Sequence, residues 1–302
     1  MHDYLISLLL GIIEGVTEFL PISSTAHLRI AEKLLSIPLD SEYWKTYTIV
    51  IQLGAILSLP VYFRHRIAAF IRTFPKGARG DRTILTHPLS LTLIATVATA
   101  IPALALKSFV TANLENLTVI GLALLVGGII MWIVDAMHAR WEGAGADAPG
   151  SPIRTRQMDD MTLGQAIWIG LCQSLAAVFP GASRSMSTIA AGQLAGMSRA
   201  AALEFSFFLS MPTMALATAN ELREWLMPEP VVTDGGSTAT MTAQAISVSS
   251  HDVVVLAIGF VVSFIVAYGS VAWLMNWVRR HGFVPFAIYR IALGASVLWW
   301  MR

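Results

Sequence analysis

The chain has 302 residues, of which 55% are hydrophobic and only 13% are charged, and its formal net charge is +1. Soluble domains are usually about 45–50% apolar and about 25% charged, so this composition indicates a protein of the lipid bilayer. The basic residues do not form a long basic face, which excludes a nucleic-acid-binding protein. The single cysteine, Cys172, excludes an intrachain disulfide and a cysteine-based zinc site.

Long apolar segments predict transmembrane helices. A helix needs about 20 apolar residues to cross the hydrocarbon core of a membrane. Six segments come close to this length, with approximate ends: Tyr47–Phe63, Pro88–Leu106, Leu117–Met137, Arg199–Asn220, Val253–Val278 and Phe283–Met301. We therefore expect an all-α integral membrane protein with about six transmembrane helices.

Two further apolar regions, Tyr4–Leu35 and Met161–Gly196, are interrupted near the middle by Pro21 and Pro180, each next to small polar residues. Proline removes a backbone donor and disfavours helix at the residue before it. Each half is then too short to cross the membrane alone. These regions predict two re-entrant helix hairpins, whose breaks must be buried in protein or line a wet cavity.

The charges in the loops predict the orientation of the chain. Eleven basic residues are expected on the cytoplasmic side: Arg64, Arg66, Arg72, Lys76, Arg79, Arg82, Arg140, Arg154, Arg156, Arg279 and Arg280. The loops Lys107–Asn116 and Glu221–Asp252 hold one basic residue each and would face outside. Both termini are then external. Met1–Leu10 has no Lys or Arg, so we expect it to be retained rather than cleaved as a secretory signal.

An internal repeat is visible in the sequence. Gly11–Ser24 aligns without gaps with Gly170–Ser183 at an offset of 159, and Gln52–Pro60 aligns with Glu204–Pro212 at an offset of 152. We expect one polytopic domain over residues 1–302, with repeat 1 at about 1–137, a cytoplasmic linker at about 138–160 and repeat 2 at about 161–302. Hairpins that enter from opposite faces make this an inverted repeat, and such proteins place their site between the repeats.

The first break follows a pair of acidic residues in an apolar helix. Glu14 and Glu18 are four residues apart and share one helix face. Carboxylates this close repel each other unless a cation or a proton lies between them. Oxygen ligands suit a hard divalent ion such as Mg²⁺ or Ca²⁺, which in turn suits a phosphate substrate. The pair predicts a metal site.

Hydroxyl groups and a histidine follow the same break. Ser23, Ser24 and Thr25 lie where a new helix is expected to begin, and its free N–H groups would bind an anion. Ser23 and Thr25 would serve equally well as plain helix caps. His27 falls in the first turn, where it can act as an acid or base for a hydroxyl.

The second break surrounds one arginine with hydroxyl groups. Arg184 is followed by Ser185 and Thr188 and preceded by Ser183, directly after Pro180 and a glycine. An arginine fork fits two phosphate oxygens at once. Together with free N–H groups it can stabilise the charge of a phosphoryl transition state. We predict that this segment binds phosphate.

The two breaks resemble the signature motifs of a known family. Glu14–His27, which reads EGVTEFLPISSTAH, and Pro180–Ser185, which reads PGASRS, resemble those of the undecaprenyl-pyrophosphate phosphatases, the bacitracin-resistance membrane proteins. Ile51–Ile56 and Glu204–Phe207 are similar as well, and the resemblance covers essentially the whole chain. Ala26, Ala182 and the pair Met186–Ser187 stand where glycine, threonine and Gly-Ala are usual. At Ala182 one side-chain oxygen is lost.

The resemblance implies hydrolysis of undecaprenyl pyrophosphate to undecaprenyl phosphate and inorganic phosphate, which recycles the lipid carrier of cell-wall synthesis and gives bacitracin resistance. It implies a divalent cation and a site that opens to the periplasmic side of the bacterial inner membrane. It also implies these roles: Glu14 and Glu18 as the metal-linked pair, Ser24 as nucleophile, His27 as its acid/base partner, Arg184 as the pyrophosphate clamp, and Ser183 and Thr188 as phosphate supports.

Several alternatives stay open on the sequence. The attacking group is either Ser24 or a water molecule, and a homodimer is neither required nor excluded. A lipid or ion transporter or flippase would use the same inverted repeat and half-helices, but it would not need a nucleophile and an acid/base histidine. A structural membrane scaffold would need no buried Glu or Arg at all.

Overall fold

Helices make up nearly all of the described chain. The structure is a computed structural model that describes residues 2–37, 42–106, 116–143, 151–226, 231–232, 238–239 and 249–301. Its helices are α1 (His2–Thr17), α2 (Ser24–Leu34), α3 (Glu42–Tyr62), α4 (Arg64–Thr73), α5 (Pro88–Ala105), α6 (Leu117–Gly143), α7 (Leu163–Val178), α8 (Arg184–Leu194), α9 (Arg199–Leu226), α10 (Ser250–Trp277) and α11 (Val284–Trp300). The prediction of an all-α protein is confirmed. One 3₁₀ turn (Met158–Asp160) and a two-residue antiparallel pairing of β1 (Val231–Val232) with β2 (Thr238–Ala239) complete the described elements.

Several helices are built to cross a membrane. Within the described residues, four are long and apolar enough: Pro88–Ala105, Leu117–Glu142, Arg199–Arg223 and Ser250–Trp277. A fifth span results if α3 and α4, which meet at a bend of 61°, count as one. The helices α7 and α11 are apolar but shorter. The chain is therefore a multi-pass membrane protein.

The apolar surface of α5 shows where lipid contacts the protein. Leu93, Val97, Ile101 and Leu104 are all more than half exposed. They recur at intervals of three and four residues, so they form one stripe along the helix. An exposed apolar stripe of this kind is stable when hydrocarbon covers it.

Glycines let the helices approach closely. A Cβ atom on Gly15 of α1 would lie 2.8 Å from the carbonyl oxygen of Ser263 in α10. Small residues at helix contacts are the usual way in which membrane helices pack, because backbone-to-backbone approach maximises dispersion contact. The same close packing joins α3 to α10, and α6 to α11.

Both predicted breaks are present, and in each the second half-helix packs back on the first. The N-cap residues are Ser23 (φ +75°) and Ser183 (φ +70°), a backbone conformation that is strained for residues other than glycine. Each serine Oγ accepts a hydrogen bond from the backbone N–H three residues later, of Ala26 and of Met186. The ungapped alignment paired Ser24 with Ser183 and is off by one residue at the caps, since the first break is one residue longer.

The first break is anchored in the buried apolar core. Phe19 is only 1% exposed, and its ring meets that of Phe207 in α9 edge-on, with 5.7 Å between the centroids. Leu20 and Ile22 belong to the same buried cluster. The segment between α1 and α2 is therefore fixed by packing.

Charged side chains tie the ends of the helices together on the side predicted to be cytoplasmic. Arg66 of α4 donates to Glu204 of α9 at 2.9 Å and to Asp159 of the 3₁₀ turn. Arg79 donates to Asp160 at 2.7 Å. These ion pairs fasten the segment between α4 and α5 to the second half of the chain.

A buried carboxylate organises the far end of α8. Asp135 of α6 is 1% exposed and accepts hydrogen bonds from Arg199 Nε (2.7 Å), Gln193 Nε2 (3.0 Å) and the backbone N–H of Phe283 (2.8 Å). Four helices or their ends meet at this one side chain. Because α8 is held here, the position of its opposite end, where Arg184 begins the helix, is fixed as well.

Two predictions fall largely outside the described residues. They concern the outer loops Lys107–Asn116 and Glu221–Asp252. The division of residues 1–302 into two repeats and a linker stays a prediction.

Candidate active site

One carboxylate joins the two breaks. The Glu18 side chain is 1% exposed. Its Oε2 accepts a hydrogen bond from the Ser24 hydroxyl, and its Oε1 accepts one from Arg184 Nη2, which forms an ion pair with it. Ser24 follows the first break and Arg184 the second, so residues far apart in sequence meet at a single group. The two breaks predicted from the sequence therefore meet at this carboxylate.

Ser24 and Arg184 hold matching places in their helices. Each is the first helical residue after an N-cap serine, Ser23 or Ser183. The first N–H groups of a helix have no partner within the helix, and they attract anions. Two helix N-termini therefore lie on either side of the Glu18 carboxylate, and both favour negative charge between them.

Glu14 completes an acidic pair. It is 1% exposed and lies one helical turn before Glu18, whose backbone N–H donates to the Glu14 carbonyl at 2.9 Å. Its Oε2 has no hydrogen-bond partner among the described residues. A buried carboxylate oxygen without a partner is costly, and a cation beside it would remove that cost.

The donor set suits a divalent cation shared with a phosphate. The described residues contain no cluster of three or more His, Cys, Asp or Glu side chains that could enclose a metal ion. Mg²⁺ typically binds through one or two carboxylates, with water and substrate phosphates completing its shell. Glu14 and Glu18 match that pattern, so the pair fits the predicted ion.

His27 is held by partners other than Ser24. Its Nδ1 lies 2.7 Å from the carbonyl oxygen of Ser23, and its Nε2 lies 2.7 Å from the hydroxyl of Tyr289. A carbonyl only accepts, so Nδ1 carries the proton, and the neutral ring accepts from Tyr289 at Nε2. The two rings are almost parallel, 8° apart. The Ser24 hydroxyl bonds to Glu18 instead, and a direct role of His27 on Ser24 stays a prediction.

The other predicted phosphate ligands differ in where they lie. Thr25 is exposed at the start of α2. Ser185 Oγ is 3.5 Å from the backbone oxygen of Glu18. Thr188 is buried, donates to the Arg184 carbonyl at 2.9 Å and lies 2.6 Å from Ser206 Oγ. Thr188 therefore braces the first turn of α8 against α9, whereas Thr25 is open to an incoming ligand.

Arg290 lies behind both breaks. It is fully buried in α11, and its guanidinium donates to the carbonyl of Pro21 in the first break and to the carbonyls of Gly181 and Ala182 in the second. From the sequence, Arg290 is a buried charge in an apolar helix, a known sign of function, but nothing near it in sequence indicates which segments it contacts. The same is true of its neighbour Tyr289.

Comparisons with known proteins agree with the geometry. The profile of the bacitracin resistance protein BacA family matches residues 7–296. A protein of Koribacter versatilis named undecaprenyl-diphosphatase is 57% identical over 300 residues, which cover 99% of each chain. The undecaprenyl-diphosphatase of Sorangium cellulosum is 39% identical, covering 97% of this chain and 85% of its own. Undecaprenyl-diphosphatase 1 of Frankia alni is 37% identical, covering 95% and 92%.

Proposed function

This chain belongs to the bacitracin resistance protein BacA family, and we propose that it hydrolyses undecaprenyl pyrophosphate to undecaprenyl phosphate and inorganic phosphate. The observation that carries the proposal is the shared carboxylate. A hydroxyl, Ser24, and a phosphate-binding group, Arg184, meet at Glu18 in a buried site between two helix N-termini. A hydroxyl, a base and an anion clamp are the groups that phosphoryl transfer requires.

Binding begins with an exchange of partners at Arg184. In the protein alone, Arg184 is paired with Glu18. A pyrophosphate that enters between α2 and α8 offers the guanidinium two oxygens in the geometry it prefers. The free N–H groups at the starts of both helices, together with Thr25 at the open end, then hold the remaining oxygens.

The exchange frees Glu18 to act as a base. Ser24 already donates its hydroxyl proton toward Glu18 Oε2. As Ser24 Oγ attacks the terminal phosphorus, the proton passes to Glu18 and the bond to the bridging oxygen breaks, releasing the lipid monophosphate. Water then hydrolyses the phosphoserine and restores Ser24. A water molecule deprotonated by the same carboxylate is the alternative nucleophile.

A divalent cation belongs to the proposal. Glu14 and Glu18 would hold it, and when bound it neutralises charge on the phosphate oxygens. The chain's own contribution is to keep these two carboxylates close together in a buried place. Arg184 supplies the fixed positive charge, which remains whatever ion is present.

The membrane arrangement that we propose has six transmembrane helices and two re-entrant hairpins related by inverted repetition. The matching N-caps Ser23 and Ser183 support it, as does the packing of α1 on α2 and of α7 on α8. The site then opens to the periplasmic side of the bacterial inner membrane. There the reaction would recycle the carrier lipid of cell-wall synthesis and give bacitracin resistance. A homodimer stays a prediction.

Orientation can be tested with single cysteines. In a Cys172→Ser background, a cysteine at Arg79 is expected to resist a membrane-impermeant maleimide in whole cells and to react after lysis. A cysteine at Ser249, which precedes α10 on the opposite side, is expected to react in whole cells. The reverse pattern would contradict the orientation.

The activity is tested by phosphate release from undecaprenyl pyrophosphate in detergent, with and without a chelator. Wild type is expected to release phosphate, while Ser24→Ala, Glu18→Ala and Arg184→Ala are each expected to lose activity by on the order of 10³-fold. The matched controls are Ser270→Ala, whose hydroxyl bonds only within α10 at the carbonyl of Val266, and Arg64→Ala at the start of α4. Both are expected to keep wild-type activity.

The outcomes separate the enzyme from a carrier. Wild type that releases no phosphate but moves labelled lipid across vesicles would support a flippase and refute the hydrolase. Release that survives Arg184→Ala would refute the assigned site while leaving the activity in place.

A further inference from the structure

Arg290 contacts the backbone of both breaks at once. Its Nη1 lies 3.4 Å from the Pro21 oxygen, and its Nη2 lies 3.1 Å from the Gly181 oxygen and 3.0 Å from the Ala182 oxygen. Pro21 precedes Ser23 and Ser24 by two and three residues. Gly181 and Ala182 directly precede Ser183 and Arg184. The two segments are about 160 residues apart in sequence, so Arg290 links parts of the chain that are not neighbours along it.

All of these acceptors are neutral carbonyls. A fourth, the oxygen of Ala123 in α6, lies 3.2 Å from Nη2. Among the described residues no carboxylate pairs with Arg290, and its Nε has no hydrogen-bond partner. Burying an arginine without a counter-ion is expensive. A side chain needed only to fill space would be apolar here, so the guanidinium is present for its donors and its charge.

The surrounding helices leave room for this group. Gly127 of α6 faces the guanidinium, and a Cβ atom at this position would lie 2.5 Å from Arg290 Nη2 and 2.8 Å from Met186 Cε. Met186 is in the first turn of α8, two residues after Arg184. The missing side chain at Gly127 is therefore what allows Arg290 to reach the second break.

We propose that Arg290 is a positioning residue that holds the two breaks in register, so that Ser24 and Arg184 meet at one phosphate. This inference rests on the proposed function, because it concerns the reaction of that same site. The carbonyls of a helix break can rotate between several directions, and a fixed fork that binds three of them selects one. A misplacement of about 1 Å in a catalytic group can cost on the order of 10²-fold in rate.

Two substitutions test whether the position of the Arg290 guanidinium matters, or only the presence of a positive charge. Arg290→Lys keeps the charge but loses the fork, and Gly127→Ala keeps Arg290 but pushes its guanidinium away. Both are expected to lower kcat by about 10-fold or more and to change KM less, because the phosphate-binding groups themselves remain. In Arg290→Ala, kcat is expected to fall by on the order of 10²-fold, and added methylguanidinium is expected to restore part of the activity. Gly269→Ala, where an added Cβ meets no atom within 4 Å, is the control and keeps wild-type activity.

Hydrogen–deuterium exchange gives a readout that does not depend on activity. In Arg290→Lys and Gly127→Ala, amide exchange is expected to rise in residues 18–25 and 180–188 together, and to stay unchanged in α10. Variants with wild-type exchange in both breaks, or with a change confined to one break, would overturn the proposal. So would an Arg290→Lys enzyme with unchanged kcat. If wild type releases no phosphate, the proposed function fails, while the exchange experiment still decides whether Arg290 holds the breaks.

Discussion

Ser24 and Arg184 occupy the same position of two different helices and bond opposite oxygens of one carboxylate. Each is the residue after an N-cap serine with positive φ. The hydroxyl proposed as nucleophile and the guanidinium proposed as anion clamp thus share a third residue, Glu18, which belongs to the first half alone. A change at Glu18 must therefore disturb both halves of the site.

Glu18→Gln tests this shared dependence. The amide has nearly the same shape, but only its oxygen can accept. If that oxygen accepts from Arg184, the amide nitrogen faces Ser24 and donates to it, so the Ser24 hydroxyl no longer has an acceptor for its proton. We expect phosphate release to fall by about 10²–10⁴-fold, as for loss of a general base, with the protein still folded by circular dichroism. Asp81→Asn, an exposed carboxylate change in the loop after α4, is the control. Activity close to wild type in Glu18→Gln would exclude Glu18 as the base.

A covalent intermediate is expected on Ser24. If Ser24 Oγ attacks the phosphorus, rapid acid quenching during turnover should trap phosphoserine at this residue, detectable by mass spectrometry of the digested protein. A Glu18 variant is not a substitute for quenching, because Glu18 is the proposed base of the first step and its loss would slow formation of the intermediate. If no phosphoserine is found at any quench time while product accumulates, water is the nucleophile.

Glu14→Gln is expected to weaken the binding of the divalent cation and to leave phosphate binding by Arg184 intact. The oxygen without a partner, Glu14 Oε2, becomes part of a neutral amide, and the pair loses one negative charge. The concentration of Mg²⁺ that gives half-maximal activity should rise by about 10-fold or more, since cation affinity depends on ligand charge. Chelation should abolish activity in both proteins. An unchanged Mg²⁺ titration would show that Glu14 holds no ion.

Tyr289→Phe removes the hydroxyl that bonds to His27 and keeps the stacked ring. One hydrogen bond contributes about 1 kcal/mol, so activity should fall about 5-fold, with a changed dependence of kcat on pH because Nε2 of His27 loses its partner. In a His27→Asn background the same change should have no further effect. Tyr268→Phe is the control. Additive losses in the double variant would show that Tyr289 acts independently of His27.

Arg66→Met tests the ion pairs that fasten the segment around α4 to the second half of the chain. Arg66 is partly exposed and binds two carboxylates, Asp159 and Glu204. Exposed pairs contribute about 0–1 kcal/mol each, so we expect the free energy of unfolding to fall by up to about 2 kcal/mol, with a lower thermal midpoint in detergent. The kcat of the folded protein should not change. Arg64→Met, at the exposed start of the same helix, should leave the midpoint in place.

The sequence predicted the breaks well because their signals are local. Pro21 and Pro180 each stand next to small polar residues, and this combination marks both breaks without any knowledge of the fold. Proline alone is not a sufficient signal, since Pro60 and Pro102 lie inside α3 and α5. The acidic pair and the arginine also stand out, because charge is rare at membrane depth. The family resemblance, which rests on the same residues, is confirmed.

Contacts between segments that are distant in sequence could not be predicted from it. Tyr289 and Arg290 reach the breaks from a helix more than 260 residues after Pro21, and no spacing rule connects them. The repeat alignment paired Ser24 rather than Ser23 with Ser183, because an alignment without gaps cannot match two breaks of unequal length. Glu204, which the second match of the repeat aligned with Gln52, forms an ion pair with Arg66 of α4. The sequence pattern within α9 does not reveal a partner on another helix.

Because Glu18 is paired with Arg184, this carboxylate competes with any anion that binds the same guanidinium. Any anion that binds Arg184 must displace a carboxylate that is tethered beside it and therefore present at high effective concentration. In the proposed reaction, a pyrophosphate has more charge and more oxygens than either product, so with the helix N-termini it is expected to displace Glu18 more readily than the products do. Closure of the ion pair after each turnover would thus expel product and discriminate against a membrane already rich in lipid monophosphate.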